Sequence, residues 1–212
     1  VAFTVSLFEL DVPADEIAAL GDLLDAGEWK RAAAFRFEGD RNRYIARHGL
    51  VRKELAHRIG CAPEEVSIVL DGNGKPYLPD APHLRFSLSH SDGRSLLAVG
   101  EGAAIGCDIE RLKPEHAQLG VAERFFAPEE VAALKALPND QWTQGFFNCW
   151  TRKEAYVKAL GLGLAYPLES FAVTVCPAEP ARLLRGEHPC TIAVIDAGSG
   201  YCAAVVTLDV AV

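Results

Sequence analysis

Asp108 and Glu110 stand two apart in Ile105-Gly106-Cys107-Asp108-Ile109-Glu110, a segment that alternates like a strand. In an extended chain, residues two apart leave the same face, so both carboxylates point one way and Cys107 and Ile109 the other. Two adjacent carboxylates repel unless a cation or an altered pKa compensates. Hard oxygen donors in twos and threes suit Mg²⁺, which keeps waters and takes further oxygens from a substrate phosphate. The competing reading is an acidic, solvent-facing strand with Arg111 neutralising one carboxylate. A third carboxylate comes from the stretch Trp142 to Leu160. At helical spacing, Phe146, Cys149, Trp150, Tyr156, Val157 and Leu160 form one broad apolar face there. Glu154 and Lys158 lie on its flank one turn apart. As a plain surface pair they would stabilise the helix by only about 0.2–0.5 kcal/mol. Lys153 falls inside the apolar face and needs a partner there; Asp108 or another buried carboxylate would serve.

Three further places could hold an anion. Ser89 and His90 are neighbours in a strand-like run and point to opposite faces, which argues against a nucleophile–base dyad. His90 can still grip an anion, and Ser89 a phosphate or a backbone group; the alternative is a strand-end histidine beside a turn. Gly72-Asn73-Gly74-Lys75-Pro76 lacks the Walker spacing and the Ser/Thr after its Lys, and glycine chemistry explains it as a turn. Lys75, set beside a rigid Pro, could reach an anionic ligand. Finally, Arg41, Arg43, Arg47, Arg52, Lys53 and Arg58 crowd one helix, either as a solvated face or as a phosphate or acidic-partner site.

The elements that must position these groups follow from periodicity. Val1, Phe3, Val5 and Leu7 share one face of a first strand. Helical stretches start near Ala14 and span about 40–60, and strand-like runs cover 66–70, 84–90 and 95–100. The second half repeats the order: a strand over 103–110, a short helix Glu129–Leu137 opened by Pro128, a long helix 142–160 stopped by Gly161, then strands 169–175, 190–195 and 201–208. The two long helices even share a fragment, Arg52-Lys53-Glu54 and Arg152-Lys153-Glu154. The expected fold is therefore α+β and pseudo-duplicated. Each subdomain, 1–101 and 102–212, has a small, mainly antiparallel sheet against a long helix, with the ligand cleft between them.

Composition narrows the partners. The 212 residues are 50% hydrophobic and 24% charged, as in a globular protein, and no apolar run reaches the roughly 20 residues of a membrane helix. VAFTVSLFEL has neither a basic leader nor a cleavage pattern, so it reads as a strand and not a signal peptide. A net charge of −8 disfavours nucleic acid. Cys61, Cys107, Cys149, Cys176, Cys190 and Cys202 occur singly, without CxxC; they read as reduced, mostly buried thiols, which suits cytoplasm.

Taken in order, Gly74-Lys75-Pro76, Phe86-Ser87-Leu88-Ser89-His90-Ser91, Ile105–Glu110 and Trp150-Thr151-Arg152-Lys153-Glu154-Ala155 with Lys158 resemble the motifs of the 4′-phosphopantetheinyl transferases. The two-subdomain, Sfp-type form is the nearest, from about Trp29 to Phe171. The resemblance implies a pseudo-dimer of two similar halves with the active site between them. It implies Mg²⁺-dependent transfer of the 4′-phosphopantetheine arm of coenzyme A onto a serine of an apo acyl or peptidyl carrier protein, releasing adenosine 3′,5′-bisphosphate. It also implies roles: Asp108, Glu110 and Glu154 as Mg²⁺ ligands, Glu154 doubling as base, and Lys158 on the pyrophosphate. Gly74, Lys75 and Pro76 would line the adenine side, and Ser89 and His90, with Arg43 and Arg31, would hold the ribose 3′-phosphate. Glu28 stands where the family often has a basic residue, so Lys30 or Arg31 would substitute. For carrier docking, position and family point to Arg111, Lys113, Arg124, Phe125 and Phe126, and the internal duplication points to a monomer. Two other readings stay open: a non-catalytic coenzyme A-binding module, and a different Mg²⁺ phosphotransferase or phosphohydrolase.

Overall fold

Two long helices organise the chain, each ended by a glycine that takes the left-handed conformation a side chain resists. The structure, a computed structural model, describes residues 2–163 and 166–209. Val1, expected in the first strand, lies outside the described residues. The first half runs β1 (Phe3–Glu9), α1 (Ala14–Gly21), α2 (Ala26–Ala33), α3 (Glu38–Ile59), β2 (Val69–Leu70), β3 (Pro76–Tyr77), β4 (Leu84–Ser91) and β5 (Arg94–Glu101). The second runs β6 (Ile105–Arg111), α4 (Leu119–Phe125), α5 (Pro128–Lys135), α6 (Trp142–Leu160), β7 (Ala172–Val173), β8 (Leu183–Arg185), β9 (Cys190–Val194) and β10 (Tyr201–Leu208). Helix α3 stops at Gly60 (φ 75°) and α6 at Gly161 (φ 70°).

The main sheets are antiparallel, with orders β1-β5-β4 and β6-β10-β9. Each half thus places its last strand between its first and its middle one. In the first sheet, Phe86, Leu97 and Val99 pack on Val51 and Leu55 of α3. In the second, Cys202, Ala204 and Val206 pack on Phe146, Cys149 and Tyr156 of α6. A third core lies between the sheets, where Leu96 and Ala98 meet Ile105, Cys107, Ile109, Ala203 and Val205. Cys107 and Ile109 therefore face apolar surroundings, as their alternation predicts, and Asp108 and Glu110 take the opposite face.

β6 lies directly on α6 because Gly106 has no side chain. A Cβ there would overlap the backbone of Ala155 and Ala159. Gly106→Ala is expected to cost about 1–3 kcal/mol, as other overpacked cores do. It should also lower activity, because α6 would be pushed from β6. Denaturant unfolding and a turnover assay check both; an unchanged midpoint would contradict the close approach.

The arginine of the fragment shared by the two long helices has a similar role in both. Arg52 is buried and donates to Glu28 (2.8 Å), Asp25 (2.9 Å) and Val66 O (2.9 Å). Arg152 is buried and donates to Thr174 O (2.6 Å) and Thr174 Oγ1 (3.0 Å). Each arginine ties its helix to chain outside it, Arg52 to α2 and Val66, and Arg152 to Thr174. Glu28 is thereby a structural acid, also paired with His48 Nδ1 at 2.9 Å. Burial alone would raise its pKa, but hydrogen bonds from His48, the Asp25 amide and Arg52 outweigh it and bring it to about 2. A depressed carboxylate contributes stability that is full above its unfolded value near 4.5 and lost as pH falls toward 2. Glu28→Gln should flatten the stability–pH curve across that window in acid unfolding experiments; an unchanged curve would remove Glu28 from that role.

The structure departs from expectation in several elements. The stretch from Ala14 is two helices, because Asp25 and Glu28 form a capping box that starts α2 anew. The expected strands 66–70 and 169–175 shrink to β2 and β7, and α4, β3 and β8 were not foreseen. Val5 (37% exposed) and Leu7 (41%) lie uncovered on β1, one of the two edge strands of its sheet. All six cysteines are free; Cys107, Cys149 and Cys202 are buried. Among the described residues, no helix is long and apolar enough to cross a membrane.

Candidate active site

The two halves meet where β4 runs beside β6, and three alternating serines make the joint. Ser87, Ser89 and Ser91 leave one face of β4 with the same period-two spacing as the carboxylates opposite. Ser87 Oγ accepts from the Cys107 amide (3.0 Å), Ser89 Oγ donates to Asp108 Oδ1 (2.7 Å), and Ser91 Oγ donates to Glu110 Oε2 (2.7 Å). From α6, Lys158 Nζ reaches Asp108 Oδ1 at 2.6 Å and Ser89 Oγ at 3.0 Å. Asp108 is 3% exposed, and its second oxygen, Oδ2, is buried without a hydrogen-bond partner among the described residues. A buried carboxylate oxygen left this way costs free energy unless a cation or water satisfies it.

The surrounding charges point the same way. Burial, then the charge of Asp108, raise the pKa of Glu110, with Ser91 and Lys158 opposing. Burial, then Asp108, likewise raise that of Glu154, with Lys158 opposing. Burial works against the Lys158 charge, but Asp108, Cys107 and Glu154 outweigh it and its pKa rises. One lysine thus serves three acids, a local deficit of positive charge that a divalent cation would correct. As the side chains stand, no group of three or more His, Cys, Asp or Glu among the described residues is arranged to hold a metal ion. Asp108 Oδ1 is committed to Lys158 and Ser89. The free Oδ2 and the raised pKa values of Glu110 and Glu154 nevertheless fit a hard cation in charge and donor type.

Lys153 is not part of this cluster. It pairs with Glu130 at 2.8 Å, both fully buried, and donates to Leu168 O (2.8 Å) and Phe171 O (2.7 Å). Its expected buried carboxylate is therefore Glu130 and not Asp108.

Ser89 and His90 do diverge. Ser89 is spent on Asp108 and Lys158, whereas His90 lines a separate cavity of about 240 Å³ with Arg43, Arg47, Tyr44 and Phe35. Burial, then the charges of Arg47, Lys158 and His48, lower the His90 pKa to about 4. Arg43 is held by Asp11 at 2.6 and 3.1 Å. Arg47 is mostly buried over the Tyr44 ring, its Nε has no partner, and burial lowers its pKa. Arg43, Arg47 and His90 give this cavity a basic side facing Asp40 and Asp92, and Arg47, named in the sequence only as part of the basic helix, is one of its lining residues. A helical arginine among five other basic residues carries no mark of burial in the sequence. Of the rest of that basic helix, Arg41 and Arg58 pair with Glu38 and Glu54, and Arg52 is structural. Arg31 is exposed on α2 and is not among the residues lining the cavity, although its charge is felt by Arg47.

Gly74, Lys75 and Pro76 line a cavity of about 220 Å³ with Phe86, Leu88 and Lys158. Beside Glu110, a more apolar groove of about 340 Å³ is lined by His116, Gln118, Val121, Phe146, Phe147 and Trp150. Phe126, expected at a docking surface, is core, and Phe125 stacks edge-on against Trp150. Lys113 is paired with Asp92 at 2.7 Å, and Arg111 lies over Tyr201.

Comparison with known proteins matches residues 104–206 to the family described as the 4′-phosphopantetheinyl transferase superfamily. The chain is 37% identical over 205 residues to the 4′-phosphopantetheinyl transferase HetI of Nostoc sp., covering 91% of this chain and 86% of that one. It is 32% identical over 178 residues to the 4′-phosphopantetheinyl transferase Sfp of Bacillus subtilis, covering 83% and 78%. Among solved structures, a holo-(acyl-carrier-protein) synthase from Bacillus anthracis is similar at 23% identity and a TM-score of 0.44, over 50% of this chain and 96% of that one.

Proposed function

This chain belongs to the 4′-phosphopantetheinyl transferase superfamily, and we propose that the β4–β6–α6 seam carries out its transfer reaction. The reaction moves the phosphopantetheine arm of coenzyme A to a carrier-protein serine. The serine oxygen bonds to the phosphorus bearing the arm. The bond from that phosphorus to the bridging oxygen breaks, and adenosine 3′,5′-bisphosphate leaves with the electron pair. The observation that carries this reading is the buried, unpartnered Oδ2 of Asp108 beside two carboxylates of raised pKa.

Asp108, Glu110 and Glu154 would hold Mg²⁺. When bound, the ion supplies positive charge to the pyrophosphate. Lys158, kept protonated by Asp108, faces the cavity lined by Gly74 and Pro76 and offsets charge developing on the leaving group. Glu154, a carboxylate that burial and Asp108 make more basic, would take the serine proton. Arg43, Arg47 and His90 would hold the ribose 3′-phosphate, with Arg31 at the rim. The groove beside Glu110 suits the carrier, since an acidic enzyme cannot steer an acidic carrier by net charge and must dock through local, partly apolar surface. The reading extends to a cytoplasmic monomer of two like units, 1–101 and 102–212, supported by free cysteines and matching strand orders.

Incubation with coenzyme A, Mg²⁺ and an apo carrier protein tests the reaction by intact mass. A carrier heavier by one arm supports transfer. Cleaved coenzyme A with an unchanged carrier indicates a hydrolase, and no change at all a binding module.

The 3′-phosphate assignment has its own test. His90 should titrate below its ordinary value in the free protein by NMR and move upward when adenosine 3′,5′-bisphosphate binds, because a neighbouring anion favours the imidazolium. An unmoved His90 in the saturated complex would place the phosphate elsewhere.

A further inference from the structure

Lys75 lines the coenzyme-side cavity, yet its ammonium is spent on the protein. Nζ donates to Ala159 O at 3.0 Å and to Ile105 O at 3.1 Å. The first carbonyl belongs to the last turn of α6, where helical carbonyls lack partners of their own. The second belongs to the first residue of β6. From the same turn, Asn73 Nδ2 donates to Gly161 O at 2.9 Å, so two side chains of the first half cap the helix of the second. The turn is firm enough to do this. Asp71 Oδ1 accepts from the amides of Asn73 (2.8 Å) and Lys75 (2.9 Å), and Gly74 takes φ 84°. Among the described residues no acid pairs with Lys75: burial, then the charge of Arg85, push its pKa down to about 8, with Asp71 and Cys107 opposing.

What the clasp holds is the site. Lys158 immediately precedes Ala159, and Asp108 lies three residues along β6 from Ile105. One ammonium therefore sets the end of the helix that carries Lys158 against the start of the strand that carries Asp108. We propose that Lys75 is a positioning residue for the transfer, clasping α6 to β6 through the Ala159 and Ile105 carbonyls and so keeping Lys158 on Asp108. The proposal rests on the site reading above for its link to turnover, but the clasp itself does not.

Lys75→Met keeps the aliphatic stem and removes the donors, whereas Lys75→Arg keeps donors. The clasp predicts that Lys75→Met lowers kcat about tenfold or more, as small misplacements of catalytic groups do. KM for coenzyme A and the Kd for adenosine 3′,5′-bisphosphate should stay within about twofold, since Met keeps the aliphatic stem that lines the cavity and the ammonium is turned onto the two carbonyls. Lys75→Arg should restore most of kcat, and Asn73→Ala should act in the same direction as Lys75→Met but more weakly. A rise in KM and Kd with kcat unchanged would overturn the proposal in favour of a direct ligand contact. A lowered melting temperature with both constants unchanged would overturn it in favour of plain stability. Hydrogen exchange of the amides at 158–161 reads the clasp without turnover. They should exchange faster in Lys75→Met, and in Asn73→Ala should the first variant not fold; unchanged exchange sinks the clasp. A wild-type chain that transfers no arm sinks the functional reading alone.

Discussion

Asp108→Asn is expected to lower kcat by about a thousandfold while the protein melts within a few degrees of wild type, a loss of the size seen when a charge-stabilising group is removed from an active site. Asn keeps the shape and can still accept from Ser89, so the joint between β4 and β6 persists. What disappears is the negative charge that holds Lys158 and offers Oδ2 to a cation. Two effects on stability oppose each other. Lys158 loses its partner, but its side chain is about one-third exposed and can turn toward water (32%). Glu110 and Glu154 are freed from a neighbour that raises their pKa values, which removes like-charge repulsion. Kinetics and calorimetry on the same preparation check both halves. A large fall in melting temperature would make Asp108 a structural residue, and near-normal kcat would remove it from the chemistry.

Lys153→Met should produce the largest loss of stability, about 3–5 kcal/mol, the range for breaking one partner out of a buried ion pair. Glu130 would be left fully enclosed without its cation, while still accepting the amides of Ala127 and Val173 at 2.7 Å each. Burial already raises its pKa, opposed chiefly by Lys153, so without that lysine it must take up a proton to stay buried. Two carbonyls, Leu168 O and Phe171 O, would lose their donor as well. For a chain of this length the loss corresponds to roughly 10 °C in melting temperature. Adding Glu130→Gln should recover part of it, because the stranded carboxyl is the main cost. At a temperature where Lys153→Met is folded, transfer should stay within a few-fold of wild type, which separates this pair from Asp108. Urea unfolding decides the matter, and a change below about 1 kcal/mol would contradict a buried, mutually dependent pair.

Local pattern carried part of this structure, and pairing across the halves carried the rest. The limits of α6 were legible because its apolar residues recur at helical spacing and Gly161 stops it. Asp108 and Glu110 were legible as a pair because strand alternation alone puts them on one face. Lys153 was legible as a buried lysine in need of an acid, but Glu130 sits on another helix and no local rule selects it. Likewise, Ser89 turns to Asp108 only because β4 runs beside β6, and that register belongs to the meeting of the halves. Lys75 and Arg47 show the same limit. Their types suggested anions, but the turn of one side chain onto two carbonyls and the burial of the other are tertiary facts. At β1 the apolar alternation was legible, but which way that face points was not. An edge strand can leave Val5 and Leu7 uncovered where a central strand could not.

The most direct measurement is the intact mass of an apo carrier protein after incubation with coenzyme A, Mg²⁺ and either the wild-type chain or Asp108→Asn. With wild type the carrier should gain one phosphopantetheine arm, and with Asp108→Asn, at equal concentration and time, it should remain apo. A carrier loaded equally by both would contradict the account, since the seam between β4, β6 and α6 would then not be where the phosphate is transferred.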